Sequence, residues 1–502
     1  MTTANNSNSA SKLVAEKKLR LRRATGNPNK KMNDILIIGK RRFSLQDQLN
    51  FADYSGDRNP IHIDTIDARK TLIGYCVVHG INGLLWALEC VIKQSKINFK
   101  YVKVVFIKPI PINTLVTCLW NPSERNIQLV SKHNSIFYSI FYDAFQEFES
   151  KKKNHILPVL NIKETPTVID LGELSMEKNY QNKFGGNSKK GDQHYFELSN
   201  ALGSDLMYEI SLLSNIVGMQ IPGLHSLFLE CEIFLLDEKI CSNPYYKITK
   251  KDERFGLINL EYVGCNLRSR MKTIERPHYQ PKTIDEISKK VPKSIDLQNR
   301  KILVIGGSRG IGAAFAKVAS ILGADLSITF ASGCVDANNV ATEINSFCEK
   351  VVTILPLDVN SSSDIDNTSF EYDTLLYFAS PKISPTEYGF DQDLFESFYT
   401  YYCKSFEAIA KRFSEQGGLT VYWPSSIFLD DSNDKFQEYV AAKSIGEKIC
   451  EKLSVTTNLT VFFPRLTKIS TDQTLSLMPE NNSDAVDVAI DIAKLLSCNP
   501  KN

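Results

Sequence analysis

The feature that most restricts the fold is a glycine-rich turn between an apolar strand and a helix. Lys301–Ile305 has the pattern of a short buried strand, and Ala313–Leu322 is helical in pattern. Glycines let the backbone turn tightly and approach a pyrophosphate, whose charge then lies at the helix N-terminus. The turn therefore predicts a dinucleotide site in a parallel α/β sheet. The predicted cofactor-binding residues of this turn are Gly306, Ser308, Arg309, Gly310, Ile311 and Gly312.

The segments after this turn continue the alternation of strands and helices. A second strand is predicted at Asp325–Phe330, and a third ends at Asp358 and Val359, which join the predicted cofactor site. The second strand lacks the acidic residue that binds the ribose 2′-hydroxyl in NAD sites. Arg309 can instead pair with a 2′-phosphate, so NADPH is expected rather than NADH.

Three polar residues further along predict carbonyl reduction. Tyr439 and Lys443 are four residues apart, on one face of a predicted helix, and Ser426 ends the strand before it. A phenol with its ordinary pKa of about 10 is a poor acid–base group at neutral pH unless an ammonium lowers that pKa. We therefore expect Tyr439 to donate the proton, Lys443 to lower its pKa, and Ser426 to orient the substrate oxygen.

These motifs resemble the short-chain dehydrogenase/reductase family, particularly its 3-oxoacyl-thioester reductases, over about residues 298–495. The resemblance implies a Rossmann fold and makes Lys443 a ligand of the cofactor ribose as well. Three departures leave an inactive reductase open. Tyr377–Ser380 replaces the usual Asn-Asn-Ala-Gly, Tyr401 stands at the relay asparagine, and the chain stops soon after Ala485–Leu496, where the family adds a strand.

A second motif lies near the N-terminus, in the stretch Phe51–Asp64. Asp57 and His62 are five residues apart on a loop that contains glycine and proline, so they can converge on one water. Hydration of a 2,3-double bond needs a base for water, an acid for the neighbouring carbon, and a donor for the developing enolate oxygen. The amide of Gly80, which opens the next predicted helix, suits the last task.

This stretch closely resembles the MaoC-like (R)-specific enoyl hydratases, which have the hot-dog fold, over roughly residues 35–165. The resemblance implies that Asp57 and His62 are the catalytic pair and that the Gly80 amide is the oxyanion donor. Asn59 is expected to hold the loop or the water. For His79 two roles stay open, support of the loop or contact with substrate.

The middle of the chain resembles the same fold more faintly. Gly218–Ser226 falls where the first half has Gly74–Gly80, but nothing there matches the Asp57 loop. The resemblance implies an α+β double hot-dog, with one catalytic half and one degenerate half that shapes an acyl tunnel. His225 is then expected to be structural.

The predicted organisation has five parts. A basic disordered extension, whose first 31 residues carry a local charge of +7 in a chain of net charge +2, is followed by two hot-dog units, a linker and the Rossmann domain. Polar clusters at Glu149–Asn154 and Gly185–Asp192 indicate loops, and Lys282–Pro292 has the composition of a linker. The predicted boundaries are 1–34, 35–167, 168–290, 291–299 and 300–502.

Composition excludes several classes of function. The eleven cysteines are scattered singly without CxxC spacing, which argues against a zinc site and indicates reduced thiols in the cytoplasm. No apolar run is long enough to span a bilayer, and basic charge is not spread over a folded face as nucleic-acid binding requires. No metal, membrane or nucleic-acid partner is therefore expected.

Together these motifs predict a bifunctional enzyme of fatty-acid metabolism. One site reduces a 3-oxoacyl thioester to the (R)-3-hydroxyacyl thioester, and the other dehydrates that product to the enoyl thioester, or both run in reverse. The expected partners are acyl-CoA or acyl-carrier-protein thioesters, with possible docking of the carrier protein, and a homo-oligomer is expected. The alternative is a hydratase/dehydratase whose reductase-like domain is only structural.

Overall fold

A computed structural model describes most of the chain. The described residues are 34–145, 165–169, 172, 174–176, 179–181, 194–236, 243–386, 389–430, 434–477 and 481–498. The expected basic extension, apart from its last residue, and the polar clusters Glu149–Asn154 and Gly185–Asp192 lie outside them.

Within the described residues, the N-terminal region is built on one ten-stranded antiparallel sheet. Its strands are β1 (Leu36–Arg42), β2 (Asn98–Phe106), β3 (Leu115–Asn121), β4 (Asn126–Val130), β5 (Ile136–Phe145), β6 (Tyr180–Gln181), β7 (Ser226–Leu235), β8 (Tyr245–Asp252), β9 (Leu257–Val263) and β10 (Leu267–Glu275). The order across the sheet is β1-β3-β4-β5-β2-β7-β10-β9-β8-β6. Each half thus has the order first-third-fourth-fifth-second, and the two second strands, β2 and β7, pair at the centre.

Helices cover this sheet and bury its apolar side. They are α1 (Leu45–Ser55), α2 (Pro60–Ile63), α3 (Thr65–Ala68), α4 (Gly80–Gln94), α5 (Phe196–Leu202) and α6 (Ser204–Asn215). All residues from Ile81 to Val91 of α4 are buried. A helix that is buried on every side belongs to a core, and here the side chains of α4 and α6 join one hydrophobic cluster with both halves of the sheet.

The apolar alternation of Leu257–Arg270 predicts a single strand, but the segment divides between two strands. β9 and β10 form a hairpin whose turn contains Gly264. The buried Glu209 carboxylate accepts hydrogen bonds from the amides of Cys265 and Asn266, at 2.6 and 2.9 Å, and so holds the turn in place. Apolar alternation continues through the turn, which is why the sequence pattern did not reveal it.

Within the described residues, the C-terminal region is a parallel sheet of six strands with helices around it. The strands from this point are β11 (Lys301–Ile305), β12 (Asp325–Phe330), β13 (Thr353–Pro356), β14 (Thr374–Tyr377), β15 (Thr420–Tyr422), β16 (Ser425–Ser426), β17 (Thr460–Phe462), β18 (Arg465–Leu466), β19 (Ile469–Ser470) and β20 (Ser483–Asp484). The sheet order β13-β12-β11-β14-β15-β17 is that of the Rossmann fold. The pairs β16-β18 and β19-β20 lie outside this sheet.

The helices of this region begin with one in the expected linker. They are α7 (Ile284–Ser288), α8 (Gly310–Ile321), α9 (Cys334–Phe347), α10 (Ser362–Asn367), α11 (Gln392–Tyr399), α12 (Phe406–Glu415), α13 (Gln437–Thr456) and α14 (Ala485–Ser497). Ile284 and Ile287 of α7 are buried in the Rossmann core, so Lys282–Pro292 is not the free linker that its composition predicted. A capping box at Thr283 starts this helix. None of the helices in the described residues combines the length and apolar character needed to cross a membrane.

Candidate active sites

The Asp57 loop begins where α1 is forced to end. Gly56 adopts a left-handed conformation, with φ of 73°, and its amide closes the helix on the Ala52 carbonyl. Such a conformation favours glycine, because a side chain would be strained there. The chain therefore leaves the helix abruptly and places Asp57 in the interior. Asn59 then caps α2, whose first residue is Pro60.

Asp57 is buried, with 1% of its surface exposed. One carboxylate oxygen accepts a hydrogen bond from the backbone N–H of Asn59 at 3.2 Å, and the other accepts a hydrogen bond from the Ser214 hydroxyl at 2.6 Å. Burial raises the pKa of Asp57 to about 6, against the lowering effect of these two hydrogen bonds. At neutral pH this carboxyl is mostly ionised but remains close to its titration point, as a group that accepts and returns a proton should be.

His62 lies beside Asp57 with one ring nitrogen fixed. Its Nδ1 donates to the Val77 carbonyl at 2.8 Å, so the Nε2 lone pair is left to accept a proton. Burial, together with the nearby Arg276 guanidinium, lowers the pKa of His62 to about 4 against the raising effect of the Val77 hydrogen bond. The imidazole is therefore neutral at pH 7 and can act as a base.

His79 supports this arrangement from behind. Its ring nitrogens lie 3.0 Å from the Gln48 side-chain oxygen and 3.0 Å from the Asp57 carbonyl, and its ring stacks on that of His62 with centroids 3.8 Å apart. His79 is fully buried. These contacts favour support of the loop over contact with substrate. Ligand atoms of Asp57, His62 and His79 all lie within 4.8 Å of one another, but both His79 nitrogens are occupied, which makes the cluster a poor metal site.

Gly80 opens α4 next to His79, as the sequence predicts. Helix α4 has no side-chain cap, and the Gly80 amide makes no hydrogen bond to any described residue. A carbon added to Gly80 would lie 2.9 Å from the Phe106 ring, so the start of α4 can pack this closely on β2 only with glycine there. The free amide at a helix N-terminus suits a developing oxyanion.

The second half of the region completes the site, which the sequence did not reveal. Besides Ser214, the Asn215 side chain donates to the Gly56 carbonyl at 2.7 Å, and Asn59 donates to the Gly218 carbonyl at 2.9 Å. A carbon on Gly218 would lie 2.3 Å from the Asp57 carboxylate. The half that was expected only to shape a tunnel therefore holds the catalytic loop directly. Only the absence of a side chain at Gly218 signals this in the sequence.

The same half brings a positive charge towards His62. Arg276 is 4% exposed, donates to the Leu224 carbonyl at 2.7 Å, and has a buried Nε with no hydrogen-bond partner among the described residues. Burial lowers its pKa to about 10. His225, expected to be structural, stacks on His278 with centroids 4.2 Å apart, and burial lowers its pKa to about 4. A buried guanidinium near the site would favour negative charge on a substrate.

The second candidate site is a cleft of about 880 Å³ at the carboxyl ends of the parallel strands. Gly306 and Gly310 have positive φ angles of 78° and 56°, and helix α8 starts at Gly310 without a side-chain cap. A carbon on Gly312 would lie 2.2 Å from the Gly306 carbonyl oxygen, so the helix can pack this closely on the turn only with glycine there. The uncapped helix start and the tight turn fit the pyrophosphate of a dinucleotide.

The other predicted cofactor residues reach the same cleft. Ser308, Ile311, Asp358 and Val359 all line it. Arg309 also lines it, but its guanidinium donates to the Asp472 carboxylate at 2.6 Å. The pairing of Arg309 with a 2′-phosphate stays a prediction, and the ion pair with Asp472 already neutralises part of that charge.

Ser426, Tyr439 and Lys443 line the cleft together. Burial raises the pKa of Tyr439, while its hydrogen bond with Ser426 lowers it to a smaller extent. The Lys443 ammonium donates to the Pro424 carbonyl at 2.6 Å and lies 4.0 Å from the Tyr402 ring centroid. Burial lowers the pKa of Lys443 to about 7. In this arrangement burial dominates the pKa of Tyr439, and its lowering by Lys443 stays a prediction.

The expected relay position lies in irregular helix. Residues Thr400–Ser405 form a π-helical turn, and the Tyr401 carbonyl accepts from the Tyr377 hydroxyl at 2.7 Å. Tyr402, the next residue, shares a hydrogen bond with Ser380 at 2.6 Å. The departures Tyr377, Ser380 and Tyr401 therefore belong to one tyrosine-rich network beside the cleft.

The geometry defines a two-site protein, with a carboxylate–histidine pair in the first region and a dinucleotide cleft in the second. Residues 26–134 match the family model of the MaoC like domain, so the chain carries a MaoC-like domain. Comparison with curated proteins gave no match.

Solved structures similar to this chain include a short-chain dehydrogenase and a ketoreductase. One, from Burkholderia cenocepacia J2315 in complex with NADP, is 21% identical over 40% of this chain and 91% of that chain, with a TM-score of 0.36. The angucycline C-6 ketoreductase LanV with bound NADP is 19% identical, and the match covers 40% of this chain and 90% of that chain, with a TM-score of 0.36. BdcA in complex with NADPH is 17% identical, and the match covers 40% of this chain and 88% of that chain, with a TM-score of 0.35.

Proposed function

We propose that the chain is a bifunctional enzyme that acts on fatty-acyl thioesters. Its N-terminal region is an (R)-specific 3-hydroxyacyl dehydratase/enoyl hydratase, and its C-terminal region is an NADPH-dependent 3-oxoacyl reductase of the short-chain type. The observation that carries the proposal is the buried Asp57 carboxylate beside the half-buried His62 ring in a MaoC-like domain, with the Gly80 amide directly after His79, whose ring stacks on His62. The equal strand order of the two halves supports a double hot-dog around that pair.

Hydration uses the pair as one proton carrier. Ionised Asp57 and neutral His62 hold a water; an O–H bond of the water breaks, its proton passes to the pair, and its oxygen bonds to carbon 3 of the enoyl thioester. The π electrons move to the thioester oxygen, where the Gly80 amide stabilises the negative charge. The pair then returns the proton to carbon 2. Dehydration is the reverse, and no proton is gained or lost overall.

Reduction uses the residues of the cleft. The turn Gly306–Gly312, Asp358 and Val359 would hold the dinucleotide, and Lys443 its ribose. Hydride for the carbonyl carbon is the chemistry that bound NADPH supplies. Tyr439 donates the proton to the carbonyl oxygen, which Ser426 orients. Reorientation of Lys443 from the Pro424 carbonyl towards the ribose would bring its charge closer to Tyr439.

The test is product analysis with defined substrates. Purified protein is incubated with NADPH and a panel of 3-oxoacyl thioesters on CoA and on acyl carrier protein, and products are identified by mass spectrometry. We expect NADPH oxidation together with formation of both 3-hydroxyacyl and 2-enoyl thioesters. Formation of neither product on any carrier would overturn the proposal.

A second candidate keeps only the hydratase activity, with the reductase-like domain as a scaffold. The Lys443 ammonium donates to the Pro424 carbonyl and lies closer to the Tyr402 and Trp423 rings than to the Tyr439 ring, which favours it. Hydration of an enoyl thioester without any NADPH-dependent reduction would establish this candidate.

A further inference from the structure

The MaoC-like region forms one wall of the dinucleotide cleft. Arg69, Leu72 and Tyr75 line the same cavity as the glycine-rich turn. Lys382 links this wall to the Rossmann region. Its ammonium donates a hydrogen bond to the Leu72 carbonyl at 3.2 Å and another to the Gln473 carbonyl at 2.9 Å. The segment that follows the Asp57 loop thus belongs to both sites.

Part of this wall faces the carboxyl end of β12. Ser332 and Gly333 line the cleft there, and a carbon on Gly333 would lie 3.2 Å from the Asp336 carboxylate and 3.6 Å from the Ser308 hydroxyl. In a Rossmann fold the adenosine ribose lies at the end of the second strand, which is β12 in this sheet. The 2′-substituent of that ribose would therefore meet the charged groups around Ser308 and Asp336.

Most of the charges at this end of the cleft are paired. Asp472 binds Arg309 at 2.6 Å, and Asp336 binds Lys70 at 2.7 Å. Lys70 also binds Asp67 at 2.9 Å. Asp472, which lines the cleft, and Asp336, which lies beside Gly333, are therefore each already bound to a cation.

Arg69 is the exception. Its Nε is buried without a hydrogen-bond partner in the described part of the chain, and no described carboxylate lies within ion-pair distance of it. The charges of Arg309, Asp336 and Asp472 all act on it, which places it among them. A partly buried guanidinium without a partner is costly, and an anionic ligand would offset that cost.

We propose that Arg69 binds the 2′-phosphate of NADPH, so that the MaoC-like region supplies a specificity residue of the reductase site. A guanidinium can hold a phosphate through two parallel hydrogen bonds, and here its charge is not shared with a carboxylate. Arg309, bound to Asp472, is then the minor contributor. The inference rests on the proposed function, because it assigns the cofactor preference of that reductase.

The test measures binding rather than turnover. Dissociation constants of NADPH and NADH are determined by nucleotide fluorescence for wild type, Arg69→Ala, Arg69→Lys and the control Arg268→Ala, an exposed arginine on β10. We expect Arg69→Ala to weaken NADPH binding about tenfold or more, with NADH binding unchanged. Arg69→Lys should keep part of the affinity, and Arg268→Ala should behave as wild type. Circular dichroism verifies that each variant is folded.

The competing outcomes are distinct. Equal weakening of NADPH and NADH by Arg69→Ala would make Arg69 a support of the domain contact and overturn the proposal, as would no change in either. A wild-type preference for NADH would also overturn it, and would assign the Asp336 carboxylate to the ribose hydroxyls. Displacement of bound NADPH by 3′,5′-ADP but not by 2′,5′-ADP would also overturn the proposal, because Arg69 would then bind the 3′-phosphate of CoA instead. A wild type that binds neither dinucleotide would refute the reductase half of the proposed function itself.

Discussion

The two candidate sites differ in how completely they are organised without ligand. In the MaoC-like region, Asp57 and His62 are each held by hydrogen bonds, and the one from Ser214 to Asp57 comes from the opposite half of the sheet. In the cleft, the Lys443 ammonium is turned to the Pro424 carbonyl and Tyr439 is buried among aromatic rings. Under the proposed function, the first site would need only a substrate and a water, whereas the second would need its cofactor and a different orientation of Lys443.

The largest expected effect tests whether the second site is active. Tyr439→Phe removes the donor hydroxyl and keeps the ring, so NADPH-dependent reduction of a 3-oxoacyl thioester should fall by about 10³-fold or more. Hydration should be unchanged, because Tyr439 lies in the other region. The rates of both reactions, measured on one preparation, check this. Reduction by the variant at the wild-type rate would remove Tyr439 from the mechanism.

The next effect belongs to the first site. Asp57→Asn or His62→Ala should each slow hydration by about a hundredfold or more, since either change breaks the shared proton carrier. Reduction should survive in both variants. Hydration near the wild-type rate in either variant would show that the residue takes no part in the chemistry.

The free energy of unfolding of Asp57→Asn shows whether a loss of hydration comes from lost chemistry or from lost folding. The folded pKa of this carboxyl is raised from 3.8 to about 6, so ionisation penalises the folded state above pH 6 and not below pH 3.8. Asp57→Asn should therefore raise the free energy of unfolding by roughly 3 kcal/mol at pH 8, an advantage that shrinks as pH falls towards 4. Denaturant titrations at the two pH values measure it.

The two reactions should also differ in the pH dependence of kcat/KM. Hydration needs ionised Asp57, so its kcat/KM should fall as pH drops through about 6. Reduction needs charged Lys443, so its kcat/KM should fall as pH rises through about 7. Each limb should approach about a tenfold change per pH unit, and kcat/KM is the quantity to follow because it reports groups of the free enzyme. Parallel limbs in both reactions would contradict the assignment of these two groups.

The smallest effect tests the contribution of the second half. Ser214→Ala removes a hydrogen bond that lowers the pKa of Asp57, so the acid limb of hydration should move to higher pH. At pH 7 the rate should fall by about three- to tenfold. The matched control is Ser211→Ala on the same helix, because that hydroxyl bonds the Tyr208 carbonyl and not the site. Equal profiles for the two variants would mean that Ser214 is only structural.

The sequence by itself determined the chemistry and its local framework. Asp57, His62 and Gly80 lie within one stretch of chain. The glycine turn is a second short stretch, and the Tyr439–Lys443 pair is a third. Within each stretch the spacing follows from local rules of helices and turns. The strands and helices with strong apolar periodicity, such as α4, β11 and β12, were predicted for the same reason.

Tertiary structure decided what lies between distant segments. The hydrogen bond from Ser214 to Asp57 spans 157 residues, and Lys70 meets Asp336 across the two regions. No periodicity or motif encodes such pairs, because they arise only when separate elements pack. The direction of the Lys443 ammonium was also beyond the sequence, since the same helical spacing allows it to face a tyrosine hydroxyl, a carbonyl or a ring. Burial then sets the pKa values of Asp57, His62 and Lys443, because the cost of removing charge from water depends on everything packed around it.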